Sequence, residues 1–392
     1  MTAWTAIRWG LLLLALAPFG YYVVAIIAAR KFFRARTSSA ATSDSASDFA
    51  PPVSILKPIY GLDRETYENY ASFCRQDYPE FEIIFCVSDL QDQAVPVIRK
   101  LIDDFPECAI RLLVGSEPLG ASDKVNKLCR MARQARHDLL IVSDSDVRVE
   151  PGFLRAVAAP FRDPRVGGVT CLYRGLTDVS LAADLEAVGN STDFAAGVLV
   201  AWLLGGVDFM LGAVMATTKK HLSEIGGFEA LVDYFCDDYE LGNRIAGRGY
   251  RIELSAFPVS IVYPRETLGD AFRHQLRWNL SIRYSRPWGH LGLIFTQGLA
   301  WSLVGLLLAP SWLAGFGYVV AYVLLSGELV RAVGIYGMQD VSLRKKDVAL
   351  WLRGGFAFVV WVASFFPQRI RWRGQEFRVR DKRLVAIAVP RA

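Results

Sequence analysis

Apolar residues fall along this chain in two modes. Residues 11–29, LLLLALAPFGYYVVAIIAA, form an uncharged run of the length that crosses a bilayer, for which about 20 residues are needed. Between residue 52 and about residue 260 the mode changes to short apolar runs separated by stretches whose apolar positions recur every three or four residues. VSILKP (53–58), FEIIFCVSD (81–89), IRLLVG (110–115) and DLLIVSDSD (138–146) predict buried strands. RETYENYASFCRQ, AVPVIRKLIDDF and SDKVNKLCRMARQA predict the helices between them. Strand and helix in alternation predict an α/β fold, a mostly parallel sheet with helices on both faces and ligands at the carboxyl ends of its strands. Long apolar runs return at 291–309 and 312–332, joined by a hairpin at Pro310 and Ser311. The last run, GGFAFVVWVASFFP (354–367), is short for a span, and the basic QRIRWRGQEFRVRDKR behind it would face outward if it crossed. It predicts an interfacial or re-entrant helix in preference to a further span.

Composition agrees with a membrane protein that carries a folded head. The 392 residues are 53% hydrophobic, and the net charge of +5 collects at the ends of the apolar runs, which speaks for membrane orientation and against nucleic-acid binding. Arg30, Lys31, Arg34 and Arg36 follow the first run against Arg8 before it, so the following domain is expected on the cytoplasmic side. No small-residue cleavage site marks the first run as a signal peptide, and it is expected as a retained anchor. Arg344, Lys345 and Lys346 fit a return to the cytoplasm after 312–332. The six cysteines lie far apart with no C-x-x-C, which indicates neither zinc nor a disulfide framework. The expected organisation is an N-terminal anchor over 1–36, a flexible linker over 37–50, a cytoplasmic head over 51–288 and a C-terminal membrane region with a basic tail over 289–392.

Acids cluster at three places in the head. Asp89 ends the second predicted strand with Asp92 three residues on, a position that a turn residue fills as readily as a ligand. Asp144 and Asp146, in IVSDSDVRV, alternate along a predicted strand and so face one side, a pair suited to a hard divalent cation; two exposed turn aspartates are the other reading. Asp237 and Asp238 open a helix predicted to end at Gly247 or Gly249. One acid there can cap the helix and leave the other as a base, and neighbouring acids should raise its proton affinity.

VSILKPIYGLD, FCVSDLQD, IVSDSDVRV, GGFEAL followed by CDDYELG, and HQLRW stand in this order over roughly residues 50–290. Together they resemble the ceramide glucosyltransferases, the membrane-anchored family 21 glycosyltransferases with a GT-A fold, and the terminal WRGQEFRV is similar to that family's C-terminal W-R-x-x-x-[FY]-R. The resemblance implies that Asp89, with Asp92, contacts the nucleotide of a UDP-sugar. It further implies that Asp144 and Asp146 hold Mg²⁺ or Mn²⁺ on the diphosphate and that Asp238 is the general base of an inverting transfer to a lipid primary hydroxyl. Arg277 would stabilise charge on the leaving diphosphate, and Trp278 would offer a surface to sugar or acceptor. Lys57 and Lys124 match basic positions near the sugar nucleotide, with a solvated surface lysine as the alternative for each. The expected product is a glucosylceramide.

His274 departs from the family's usual [QR]-x-x-R-W. A related branch that transfers N-acetylglucosamine to hopanoids is similar here, so a hopanoid acceptor is the alternative. A processive polysaccharide synthase shares these motifs but needs more spans, and a catalytically inactive lipid-binding protein would tend to have lost some of the acids. No protein partner is indicated. Residues 194–216, FAAGVLVAWLLGGVDFMLGAVMA, would separate Asp144 from Asp238 if they spanned. They therefore predict a helix over 194–206, at the interface or buried, and a core strand over 207–216.

Overall fold

The computed structural model describes residues 3–41, 49–177, 180–366, 370–372 and 375–386. It divides into two compact units, one of residues 38–176, 206–264 and 369–392 and the other of residues 1–37, 177–205 and 265–368.

The first unit is the α/β head, built on an eight-stranded sheet. The strands are β1 (Val53–Pro58), β2 (Phe81–Val87), β3 (Ala109–Val114), β4 (Leu139–Ser143), β5 (Val147–Arg148), β6 (Val166–Leu176), β7 (Val214–Thr218) and β8 (Arg251–Val262), in the order β3-β2-β1-β4-β7-β6-β8-β5. β3, β2, β1 and β4 run parallel, while β7 runs antiparallel to β4 and to β6. The expected parallel sheet is thus one half of a mixed one. Every residue of β1 and β4 is buried, which is why these strands read as unbroken apolar runs. The intervening helices fall at Thr66–Cys74, Ala94–Asp104 and Asp123–Gln134, the last capped by Ser122, whose hydroxyl accepts from the Val125 amide.

Two strand boundaries differ from expectation. β4 stops at Ser143, so Asp144 and Asp146 lie in the turn before β5 and not on a strand. The cause is that the Asp144 carbonyl accepts from Lys57 Nζ at 2.9 Å, while the Asp146 carbonyl accepts from the Val262 amide at 3.0 Å. Of the strand expected over 207–216 only Val214–Thr218 forms; Val207 and Leu211 make single bridges, to Ile252 and Val214. Gly206, at φ 84°, turns the chain at the end of the preceding helix. A small antiparallel sheet of β9 (Ile370–Trp372), β10 (Gln375–Arg380) and β11 (Arg383–Ala386) also belongs to this unit.

The second unit is helical. Among the described residues three helices are long and apolar enough to cross a membrane: Ala3–Arg34, Leu181–Gly205 and Trp312–Gly337. The run expected as one span over 291–309 is instead two helices, Pro287–Thr296 and Gly298–Leu308, meeting at 52°. Gly298 opens the second of these helices, and a Cβ there would lie 2.3 Å from the Tyr22 hydroxyl, so a bare backbone is needed for it to pack on the N-terminal helix. The short run at 354–367 begins earlier than expected, as the helix Asp347–Ala363, and residue 367 lies outside the described residues. The helix Ala17–Ala41 continues into the expected linker, since neither glycine nor proline stops it; residues 42–48 of that linker lie outside the described residues.

Leu181–Gly205 is not apolar throughout, and each of its acids is matched within the unit. Asp184 pairs with Lys346 at 3.2 Å, Asp193 with Arg353 at 3.3 Å, and Glu186, whose side chain is 0% exposed, with His274 Nδ1 at 2.8 Å. The three carboxylates in the first half of this helix are thus matched, while its apolar end leaves Leu204 75% exposed.

Candidate active site

The carboxyl ends of β1, β2 and β4 bring Lys57, Asp89 and Asp144 to one edge of the head sheet. Lys57 is fully buried, so the surface reading of it fails. Its ammonium donates to the Asp144 carbonyl and to Ser143 Oγ at 3.3 Å, and it lies 3.8 Å from the Phe73 ring centroid. Those contacts offset the cost of taking a cation out of water and tie β1 to the acid-bearing turn. Burial lowers the Lys57 ammonium to about 7, against the opposing pull of Asp144, Asp146 and Asp63.

Lys124, one residue inside the helix Asp123–Gln134, is the second cation. Its Nζ lies 2.8 Å from Asp144 Oδ1 and 3.6 Å from Asp237 Oδ2, and its side chain is only 13% exposed. Burial lowers this ammonium too, but Asp144 and Asp237 outweigh it and hold it above its ordinary value. The surface alternative therefore fails for Lys124 as well.

Asp237 and Asp238 are the first two residues of the helix Asp237–Gly247, as expected. Asp238 Oδ1 accepts from the Tyr239 amide at 2.8 Å and from Cys236 Sγ at 3.1 Å. Its other oxygen faces Gly212: a Cβ built there would lie 3.1 Å from Asp238 Oδ2 and 3.7 Å from Asp144 Oδ2. A glycine is therefore the floor on which two carboxylates from distant stretches of chain converge.

The raised proton affinity expected of this cluster falls on several acids. Burial pushes the Asp146 carboxyl up to about 7, with Asp144 and Asp63 adding to the shift and Lys57 opposing it. Burial also raises Asp63 and Asp237. Asp63 Oδ2 and Asp237 Oδ2 are buried without a hydrogen-bond partner among the described residues. Such an excess of carboxylate oxygen fits a hard divalent cation. No group of three His, Cys, Asp or Glu side chains among the described residues could hold a metal ion. The fit is thus to an open site, where protein carboxylates fill part of the coordination shell and a ligand's oxygens fill the rest.

Asp89 is exposed and lines a cleft of about 360 Å³ with Tyr60, Gly61, Gln91, Asp92 and Gln93. The Asp92 carboxylate accepts from the Gly61 amide at 3.0 Å and from the Ala94 amide at 2.9 Å, so it shapes the cleft by joining two loops.

His274, Arg277 and Trp278 belong to the helical unit, at i, i+3 and i+4 on the helix Leu268–Ser285, and therefore share a face. His274 packs edge-on to Trp278 with centroids 4.9 Å apart, and its Nδ1 meets both oxygens of Glu186, at 2.8 and 3.1 Å. Further along the same helix, Arg283 donates to the Ser364 carbonyl and sits over the Phe365 ring at 5.6 Å.

Sequence reasoning missed Asp63, Gly212, Cys236 and Glu186. A signal existed for Asp63, which closes the VSILKPIYGLD segment, and for Glu186, one of three acids in an otherwise apolar stretch. None marked Gly212, whose importance arises only from what lies opposite it.

The family model described as Glycosyl transferase family 21 matches residues 10–385. Ceramide glucosyltransferase 1 of Caenorhabditis elegans is 31% identical over 229 residues, covering 58% of this chain and 49% of that protein. Ceramide glucosyltransferase of Gibberella zeae is 30% identical over 152 residues, covering 36% of this chain and 29% of that protein. The chain thus spans about half the length, or less, of the curated relatives it matches. Among solved structures, the mannosyltransferase PcManGT from Pyrobaculum calidifontis, in complex with GDP-Man and Mn²⁺, aligns with a TM-score of 0.46 at 18% identity, over 88% of this chain and 99% of that one. TarS of S. aureus in complex with UDP-GlcNAc aligns at 0.41 and 13%, over 86% and 99%. Likenesses that low carry no argument about this chain.

Proposed function

The chain belongs to glycosyl transferase family 21, and from that premise we propose that it transfers glucose from UDP-glucose to the primary hydroxyl of ceramide with inversion at the anomeric carbon. The observation that carries this reading is the convergence of Asp238 and Asp144 on Gly212. Asp238 is the general base. Cys236 and Tyr239 hold Oδ1, which leaves Oδ2 to accept the hydroxyl proton. As the O–H bond breaks, the acceptor oxygen bonds to the anomeric carbon. The bond from that carbon to the diphosphate breaks, and UDP leaves with the electron pair. The cleft at Asp89, braced by Asp92, takes the nucleotide.

Asp144 and Asp146 would hold Mg²⁺ or Mn²⁺, which when bound supplies positive charge to diphosphate oxygens. Lys57 holds the turn that carries both acids, and Lys124 pairs with Asp144 and Asp237. For Arg277, Trp278 and His274 the proposed roles toward diphosphate, sugar and acceptor rest on the motif alone. The protein is proposed to be multi-pass with its head on the cytoplasmic side, on the strength of the basic residues from Arg30 to Arg36. His274 favours one second reading, transfer of N-acetylglucosamine to a hopanoid. Offering ceramide and hopanoid together, with UDP-glucose and UDP-N-acetylglucosamine, decides between them: glucosylceramide as the main product supports the first reading, and a hopanoid product replaces it with the second.

Metal binding gives a pH test. Asp146 titrates at about 7 in the folded protein, so below that pH a proton competes with the cation, and above it none does. Mn²⁺ affinity, measured by calorimetry without nucleotide, is expected to rise by about tenfold per pH unit between 5 and 6.5 and to level off above about 7.5. In Asp146→Asn the rise should vanish. A pH-independent affinity in the unsubstituted protein would remove Asp146 from the metal site.

A further inference from the structure

The tail of the chain bears on the acids of the head in a way that none of the motifs discloses. Arg380 and Arg383 pair across a two-residue hairpin between β10 and β11. Its central residues, Asp381 and Lys382, have φ of 49° and 65°, the left-handed conformation that Asn-Gly adopts most readily. The turn is thus made without glycine, and its second residue, Lys382, carries a side chain long enough to reach beyond it.

The hairpin docks on residues 233–235. The Leu384 amide donates to the Asp233 carbonyl at 2.7 Å, the Phe235 amide donates to the Lys382 carbonyl at 3.0 Å, and Tyr234 forms an antiparallel bridge with Arg383. Phe377 and Leu384 are buried beneath it. The same loop is held from its other side, where the Ser122 amide donates to the Val232 carbonyl at 2.8 Å and the Ala121 amide to Asp233 Oδ1 at 3.0 Å. Residue 122 caps the helix that carries Lys124, and residue 236 precedes the helix that carries Asp237 and Asp238. Lys382 Nζ reaches that second helix directly, 3.3 Å from Glu240 Oε1 and 5.4 Å from the Tyr239 ring centroid.

We propose that the hairpin of β10 and β11 is a strap that fixes the start of the acid-bearing helix, with Lys382 as a positioning residue for Asp237 and Asp238. This rests on the transferase reading above. The strap works through residues 232–235, which join the lysine and the aspartates of the site into one hydrogen-bonded frame, and through the ion pair on Glu240.

The test is the double substitution Asp381→Asn/Lys382→Gly, which suits the turn better than the native pair while deleting the ammonium. Hydrogen exchange across residues 375–386 should remain as protected as before. The kcat should fall about fivefold, the effect of an ion pair of about 1 kcal/mol, with the donor KM within about twofold. Lys382→Arg, which keeps the charge, should restore kcat. An unchanged kcat, a change confined to KM, or a loss seen only when the hairpin itself loses protection would each overturn the proposal. If the unsubstituted protein turns over no sugar, the transferase reading fails instead, and exchange at residues 237–240 decides the strap: faster exchange in the double variant supports it and unchanged exchange overturns it.

Discussion

Asp238→Asn is expected to lower sugar transfer by about a thousandfold or more, because an amide cannot accept the acceptor's proton. Asparagine keeps the shape of the side chain, its Oδ1 can still accept from the Tyr239 amide, and the site loses one negative charge from a crowded cluster. UDP binding should therefore hold within about threefold and thermal stability should hold or rise, since Asp144 and Asp237 stand nearby as like charges. Transfer retained above about a tenth of the original rate would show that another group takes the proton. Weakened UDP binding would place Asp238 on the donor instead.

The second large effect belongs to Lys124. Lys124→Met leaves Asp144 and Asp237 without their shared cation. Asp237 is largely buried but Asp144 is 37% exposed and screened by water, so the cost is about 1–3 kcal/mol, less than for a fully buried pair. The head should melt well below the unsubstituted protein, and transfer should fall with it. Adding Asp144→Asn to that variant removes one of the two stranded charges, so the double variant should regain part of the lost stability while remaining inactive for want of the Asp144 carboxylate. Strictly additive losses in the double variant would show that the two side chains do not form the pair seen at 2.8 Å.

Much of this was legible in the residues. The strands with every side chain buried, β1 and β4, announce themselves because both faces of the sheet are covered there. Asp237 and Asp238 sit where a helix start was expected, since acids in a first turn complement the dipole. What could not be read was decided by long-range contacts. Lys57 lies in an apolar run that hides it, and only Phe73 and the Asp144 carbonyl, supplied by other segments, explain a buried ammonium. The same contact ends β4 early and moves the two aspartates from a strand face into a turn. The 52° bend in the run at 287–308 is invisible to hydropathy, which reads the same apolar residues as one straight span. His274 looked like a departure from a motif; its place opposite the buried Glu186 carboxylate gives an imidazole at that position a physical reason.

If Asp238 is the base in a transfer of sugar from a nucleotide onto a lipid hydroxyl, glycolipid and UDP must appear together and both must depend on that carboxylate. The most direct measurement incubates the purified full chain with UDP-glucose, ceramide and Mn²⁺ in lipid vesicles and follows both products by mass, with the linkage read by nuclear magnetic resonance. The expected result is β-linked glucosylceramide formed in equal amount with UDP, and neither product from Asp238→Asn. An α-linked product would contradict inversion, and the absence of any glycosylated lipid with ceramide, hopanoid or other hydroxylated acceptors would contradict the transferase reading itself.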